Sequence, residues 1–496
     1  MKVLFVTSEF ADFTKAGGLG EVAASLPRAL KRGGTDIRIL LPAYPEVIAK
    51  AGTISIIASL PGRAEIEPCF LGEVRTPDGL ILYLVLAPSL YQRGGTPYGG
   101  PHAGDWPDND LRFARLALAA AEIAKGQCAG LAWKPNLLHV NDWPGGLAPA
   151  YLRWDGASLP TVFTIHNIAY QGVFNRDRLH GLGIPEAAFH MHGVEFYNRL
   201  SFLKAGVFYS DEVTTVSPTY AREITTEALG WGLHGLMQTI AADGRLVGIL
   251  NGLDDSWDPS SDPQLPDHFD SQDLSGKRAL ANLVRTGLCL KPSDGPLFGI
   301  VSRLVHQKGL DMVSDVAEAI VQQGGQFAIL GLGDPQTELL LGRLARGQHD
   351  HIAFLNGFNE AMARRILGAS DFCLMPSRFE PCGLVQMQAQ RYGALPIARA
   401  TGGLADTIED DATGFLFTEC SAAGLHAACQ RALRAYGDPV VFENMRRAAM
   451  CRRFSWSTAA EQYEALYRRS IGRPVSDTAA LQRLRHSPSS ELRAVA

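Results

Sequence analysis

The chain reads as two doubly wound α/β domains in tandem. Three observations predict this. Short runs rich in Val, Ile and Leu alternate with longer stretches whose apolar residues recur three and four apart; the alternation stops at an acidic, Pro-rich stretch; and it then starts again. In the first half, residues 3–6, 37–41, 81–86, 137–140, 162–165 and 213–216 predict buried strands, with helices over 21–32 and 111–124. In the second half, strands are expected over 297–301, 327–330, 352–355, 372–375 and 395–398, separated by helices over 310–323, 360–367 and 384–392. Runs that are apolar throughout, rather than alternating, belong to parallel sheets covered on both faces.

The interruption at 254–272, DDSWDPSSDPQLPDHFDSQ, is poor at either regular structure and places the junction near 248–258. The expected organisation is therefore a first domain over 1–250, a second over 251–456, a helix over 457–472 packing back on the first domain, and a mobile tail over 473–496. Two such domains leave a cleft, and sheets of this kind bind ligands beyond the C-terminal ends of their strands.

Composition removes several function classes. With 46 Lys plus Arg against 51 Asp plus Glu, the 496-residue chain carries a net charge of -5, which argues against a nucleic-acid partner. No apolar run reaches the roughly 18 residues needed to span a bilayer, so no membrane partner is expected. The start, MKVLFVTSEF, has too short an apolar region for a signal peptide and reads as a first strand. Eight scattered cysteines with no CxxC pair suggest reduced thiols in the cytoplasm.

Polar clusters fall at the ends of the expected strands. Lys15-Ala-Gly17-Gly18-Leu-Gly follows the first strand, where a helix N-terminus can offer N–H donors to a phosphate; an ordinary strand-to-helix turn with a surface lysine is the plainer alternative. Arg303 and Lys308 follow the strand at 297–301 and suit a diphosphate, though two surface cations would look the same. In Ser-Arg-Phe-Glu380-Pro381-Cys382-Gly383-Leu384, Pro381 fits the first turn of a helix. The next three residues would then present free N–H groups, with Glu380 either in the chemistry or a helix cap and Cys382 a packed thiol. Asp142 with Trp143, and His166, end two further strands, and Asn251 closes the first half. Asp108-Asn-Asp110 resembles a metal-binding Asp pair, but its place just before a helix favours Asp108 as a cap. Gly331-Leu-Gly333 lacks the third glycine of a dinucleotide fingerprint.

Taken in order, KAGGLGEV, HVNDW, FTIHNIAYQG, ILNGLD, VSRLVHQKG, SRFEPCGL and TGGLAD resemble the motifs of bacterial glycogen synthases and plant starch synthases, from Met1 to about Tyr467. The resemblance implies a GT-B fold, two Rossmann-like domains facing across a cleft. It also implies transfer of glucose from ADP-glucose to the non-reducing end of an α-1,4-glucan such as glycogen, with retention of configuration. By the same resemblance Lys15 lies near the donor's phosphates and sugar, and Arg303 and Lys308 neutralise the departing diphosphate. Asp142, His166, Asn251 and Glu380 surround the transferred glucose, and Cys382, Gly383 and Leu384 form the turn whose backbone holds sugar and phosphate. Phe358 stands where the family usually carries an adenine-stacking Tyr. The first motif has Ala16 for the usual Thr, and Glu21 for the usual Asp. No metal or other cofactor is implied. Tyr98 and Trp143 are candidate acceptor-stacking rings. The alternatives are a relative using UDP-glucose or a sugar-phosphate acceptor, a metal-dependent transferase, and a non-catalytic glucan- or nucleotide-binding protein on the same scaffold.

Overall fold

The computed structural model describes residues 1–100 and 104–472; the tail expected over 473–496 lies outside the described residues. The first half carries β1 (Lys2–Val6), β2 (Asp36–Pro42), β3 (Ser55–Leu60), β4 (Cys69–Arg75), β5 (Ile81–Leu86), β6 (Leu137–Asn141), β7 (Thr161–Ile165), β8 (Val173–Asn175), β9 (Glu195–Phe196), β10 (Arg199–Ser201), β11 (Glu212–Thr215) and β12 (Leu246–Gly248). The second half carries β13 (Leu297–Leu304), β14 (Gln326–Gly333), β15 (Ile352–Asn356), β16 (Phe372–Met375), β17 (Leu395–Arg399) and β18 (Phe415–Phe417).

In the first unit a nine-stranded sheet runs β12-β11-β7-β6-β1-β2-β5-β4-β3. It is parallel from β7 through β6, β1 and β2 to β5. Its far edge departs from the all-parallel expectation, because β4 runs antiparallel to both β5 and β3. Residues along β3 and β4 mix buried and exposed positions, as antiparallel strands with one solvated face do. The small sheet β8-β10-β9 is separate. The second unit holds a six-stranded sheet, β15-β14-β13-β16-β17-β18, in which every pair is parallel. Its core is built from the inward faces of these strands, Phe298, Ile300, Phe327, Phe372 and Ile397 among them. Strand order reverses around β1 in one sheet and around β13 in the other, so the segments after β1 and β6, and after β13 and β16, leave the sheets at their switch points.

The compact units are not simple halves of the chain. The first takes residues 1–214 and 239–247 and everything from Ala460 onward, and the second takes 215–238 and 248–459. Segment 215–238 groups with the second unit, where the sequence placed it in the first. The reason is a set of hydrogen bonds: Ser217 Oγ donates to the Pro381 carbonyl at 2.6 Å, and the Thr219 N–H and hydroxyl donate to Asp406 at 2.8 and 2.6 Å. In the first unit, the chain's last described helix, Trp456–Gly472, brings Tyr467 to the buried His139 of β6. The Tyr467 hydroxyl lies 2.6 Å from Nδ1, while Nε2 meets the Thr164 hydroxyl at 2.7 Å. The acidic stretch 254–272 forms neither helix nor strand, yet it is fixed. Asp262, fully buried, pairs with Arg364 at 3.0 Å and accepts the Tyr392 hydroxyl, and the Arg364 guanidinium stacks 4.0 Å over Trp257.

Candidate active site

Two clusters form, one at each switch point. In the first unit the turn after β1 carries Lys15, and Gly17 caps the helix Gly18–Arg32. The N–H groups of Ala16 and Gly17 are already engaged: both donate to one carboxylate oxygen of Glu9, at 2.7 and 2.9 Å. The other oxygen accepts the Tyr98 hydroxyl at 2.6 Å, and Glu9 is itself buried. This anion completes the start of the helix, the place where sequence reasoning put a phosphate. The Lys15 ammonium pairs with Glu21, so the lengthened acid at that position still reaches it.

Glu9 was not legible as a site residue, because a lone carboxylate beyond a strand carries no spacing signal. Its replacement by Ala takes the acceptor from two N–H groups at the start of the helix and leaves the Tyr98 hydroxyl with Ser8 Oγ alone, at 2.9 Å. Glu9→Ala is expected to raise the KM for donor more than it lowers kcat. Glu9→Gln should stay near wild type, since the amide oxygen can take both N–H groups and the amide nitrogen can donate to Tyr98. Steady-state kinetics of the pair would check this, and equal loss in both would refute it.

Tyr98 and Trp143, expected as acceptor-stacking rings, pack on each other at 6.2 Å between centroids, and Phe113 meets Trp143 edge-on at 4.7 Å. Asp142 begins the turn after β6 with φ of 54° and ψ of -179°, a conformation that costs a non-glycine residue on the order of 1–3 kcal/mol. Its N–H donates to the Thr164 carbonyl at 2.9 Å, and its carboxylate accepts the backbone N–H of His166 at 2.7 Å and that of Asn167. Burial pushes the Asp142 carboxyl up to about 7 against the pull of those two N–H groups, and burial lowers His166 to about 3. Asp142 thereby holds the turn on which His166 stands.

Asp108 does occupy the cap position of the helix Asn109–Lys125, but its side chain caps nothing. It pairs instead with Arg93 at 2.8 Å, and Asp110 pairs with Arg178 at 2.5 Å. No group of three or more His, Cys, Asp or Glu side chains suited to a metal ion occurs among the described residues.

In the second unit the Lys308 ammonium, after β13, lies 2.5 Å from the Glu380 carboxylate, after β16. The same oxygen accepts the hydroxyl of buried Ser377 at 3.0 Å. Gln307 braces this loop, donating to the Phe379 carbonyl at 3.1 Å and accepting the Arg378 N–H at 2.8 Å. Ser377 and Gln307 stand inside motifs whose charged members carry the recognisable pattern, and nothing in the sequence marks them out. The Arg303 guanidinium is exposed and has no acceptor among the described residues.

The helix expected over 384–392 spans Val385–Arg391, so Pro381 does not stand in its first turn as expected; Cys382, Gly383 and Leu384 form the turn before it, with Gly383 at φ of 71°. Their N–H groups donate to no acceptor among the described residues. Cys382 is buried, which pushes its thiol up to about 12, and it accepts a hydrogen bond from Asn251, as a packed residue would. The Asn251 side-chain oxygen is buried without a donor. Gly402 and Gly403, of the second Gly-rich motif, back this turn: a Cβ on either would collide with the carbonyl oxygens of Glu380 and Cys382 respectively. Glu223 fixes them from behind, accepting the Thr401 hydroxyl at 2.8 Å and the Gly402 N–H at 3.0 Å. Phe358 is 71% exposed, its ring open to stacking.

The second cluster thus gathers a guanidinium without a partner, a Lys–Glu pair and a turn of unpaired N–H groups, the donors an anionic leaving group needs. Known proteins carry the comparison further. Residues 2–239 match the starch synthase catalytic domain family, and residues 289–448 match glycosyl transferases group 1. A glycogen synthase of Pseudomonas fluorescens is 51% identical over 478 residues, covering 96% of this chain and 91% of that one. Glycogen synthase 1 of Bradyrhizobium diazoefficiens is 52% identical over 458 residues, 92% of this chain and 99% of that one. The catalytic domain of starch synthase IV from Arabidopsis thaliana, solved bound to ADP and acarbose, superposes with a TM-score of 0.84 at 32% identity, covering 95% of this chain and 99% of that one. Two Rossmann-like units, the switch-point clusters and nearly full-length kinship lead to one statement: the chain is a glycosyltransferase of the GT-B fold and belongs to the glycogen and starch synthase family.

Proposed function

We propose that the chain transfers glucose from ADP-glucose to the non-reducing end of an α-1,4-glucan, with retention of configuration. The observation that carries this reading is the second unit's anion cluster, Arg303 and Lys308 with the unpaired N–H groups of 382–384. Breaking the bond between glucose and diphosphate develops positive charge on the sugar and negative charge on the leaving group. Arg303 and Lys308 stabilise the latter, and the 382–384 turn adds N–H donors that need no reorganisation. Glu380 orients Lys308 and faces the developing positive charge as an electrostatic partner, not as a nucleophile. The acceptor's 4-hydroxyl attacks the anomeric carbon on the face the diphosphate leaves, and the departing phosphate oxygen takes its proton. His166, Asp142 and Asn251 hold the sugar, Lys15 reaches the donor, and Phe358 stacks on the adenine.

No metal is assigned a role: the two cations meet the charge of the diphosphate, and Asp108 and Asp110 are each committed to an arginine. We propose a cytoplasmic setting, a reading that two features support. All eight cysteines are free thiols, and no helix among the described residues is long and apolar enough to cross a membrane. No nucleic-acid or membrane partner is proposed.

Purified protein incubated with glycogen and labelled ADP-glucose or UDP-glucose in parallel, each with and without EDTA, tests all of this together. Incorporation from ADP-glucose is the expected result. Incorporation only from UDP-glucose would overturn the donor, loss in EDTA would overturn metal independence, and none from either donor would overturn the reaction.

A further inference from the structure

Asn141, the last residue of β6, makes two hydrogen bonds that together leave no choice of orientation. Its Nδ2 lies 3.0 Å from the Val6 carbonyl oxygen, and its Oδ1 lies 2.9 Å from His166 Nε2. A backbone carbonyl can only accept, so the amide nitrogen must face Val6 and the amide oxygen must face the imidazole. An oxygen there requires a proton on Nε2. The ring is neutral, since burial holds its pKa near 3, so that proton is the only one it carries. Nδ1 is left as a bare lone pair, and it has no partner among the described residues.

We propose that Asn141 is a positioning residue that sets the tautomer of His166, so that Nδ1 meets the donor sugar as the acceptor of a hydroxyl proton and never as a donor. The inference rests on the reading of His166 as a sugar-binding residue, but the tautomer itself follows from β1, β6 and the ring alone. The backbone is fixed separately, by Asp142 on the His166 N–H, so Asn141 governs the ring and Asp142 the turn. The titratable neighbours are His139, held neutral with its pKa near 3, Asp142, pushed to about 7, and Glu9, which faces Asp142. None of these donates to or accepts from the ring.

The test has a spectroscopic arm and a kinetic arm. Protein labelled with 15N-histidine, with His166→Gln to assign the signals, should show a protonated Nε2 and an unprotonated Nδ1 at residue 166. A proton on Nδ1 in the wild type overturns the inference, whether or not the protein proves to transfer glucose. In Asn141→Asp a carboxylate would face the ring and favour the imidazolium, turning Nδ1 into a donor. The ratio of variant to wild-type kcat/KM should then climb by about tenfold or more between roughly pH 6 and pH 9, as the imidazolium loses its proton. A ratio that is flat with pH would show Asn141 to be scaffold only. Wild-type protein with the expected tautomer but no transfer from either donor would fail the proposed reaction and leave the tautomer standing.

Discussion

Lys308→Ala is expected to lower turnover by about 100- to 1,000-fold while changing ADP affinity by roughly tenfold or less. The reason lies in the pairing. At rest the Lys308 ammonium lies 2.5 Å from the Glu380 carboxylate and is largely neutralised by it. Its attraction for a bound diphosphate is therefore modest, and grows only as the leaving group gains charge. An interaction that strengthens towards the transition state shows in kcat and not in ground-state affinity. Glu380→Ala should lose turnover to a similar degree with the opposite sign in binding: ADP held as tightly or more tightly, because the ammonium is released from its partner. Glu380→Gln keeps an acceptor for Lys308 and Ser377 and should fall between. Steady-state kinetics with glycogen, beside calorimetric titration with ADP, would check both, and unchanged turnover in either alanine variant would sink the assignment.

The second large effect is on stability. Asp262→Ala should destabilise the second unit by about 2–4 kcal/mol, since it removes a buried ion-pair partner and the acceptor of a buried hydroxyl. Asp262 has no exposed side-chain surface, and its loss takes one of two carboxylate partners from the Arg364 guanidinium, which keeps Glu360 at 3.0 Å and the Ser256 carbonyl at 2.9 Å, and removes the acceptor of the Tyr392 hydroxyl. For a unit of this size, that loss corresponds to a fall of roughly 10 °C in the unfolding midpoint. Tyr392→Phe removes a single hydrogen bond and should cost about 1 kcal/mol. Scanning calorimetry of the full chain decides the matter; a shift in Asp262→Ala no larger than that of Tyr392→Phe would show that the stretch around Asp262 is not anchored by its charge.

That stretch shows where sequence reasoning stops. Residues 254–272 signal a junction because Pro and Asp disfavour helix and strand, and they form neither. What fixes them is Asp262 finding Arg364 and Tyr392, 102 and 130 residues away, and no local pattern encodes such a partner. Central strands were legible because burial on both faces leaves a continuous apolar run: 3–6 became Lys2–Val6, and 372–375 became Phe372–Met375. The antiparallel strands β3 and β4 were not, since one wet face breaks the run, and neither was the three-residue β18. The charged members of the site were visible through motif and charge. Glu9, Asn141 and Ser377 were not, because their work is to hold other groups, and only three-dimensional hydrogen bonding shows whom they hold. The Pro381 helix start failed for a related reason: the turn at 382–384 spends its residues on unpaired N–H groups before regular helix begins.

The partnership of His139 with Tyr467 has a consequence for how the protein is made. The two residues stand 328 positions apart, and the helix bearing Tyr467 is the last described piece of the chain to leave the ribosome. The strand at the heart of the first unit therefore waits, one imidazole nitrogen unsealed, while the whole second unit is synthesised. Glu212 waits likewise for Arg469. The first half of the message cannot yield a finished unit ahead of the rest. A nascent chain stalled anywhere before Ala460 should present an open, protease-sensitive sheet, and the final helix acts as the clasp that closes it.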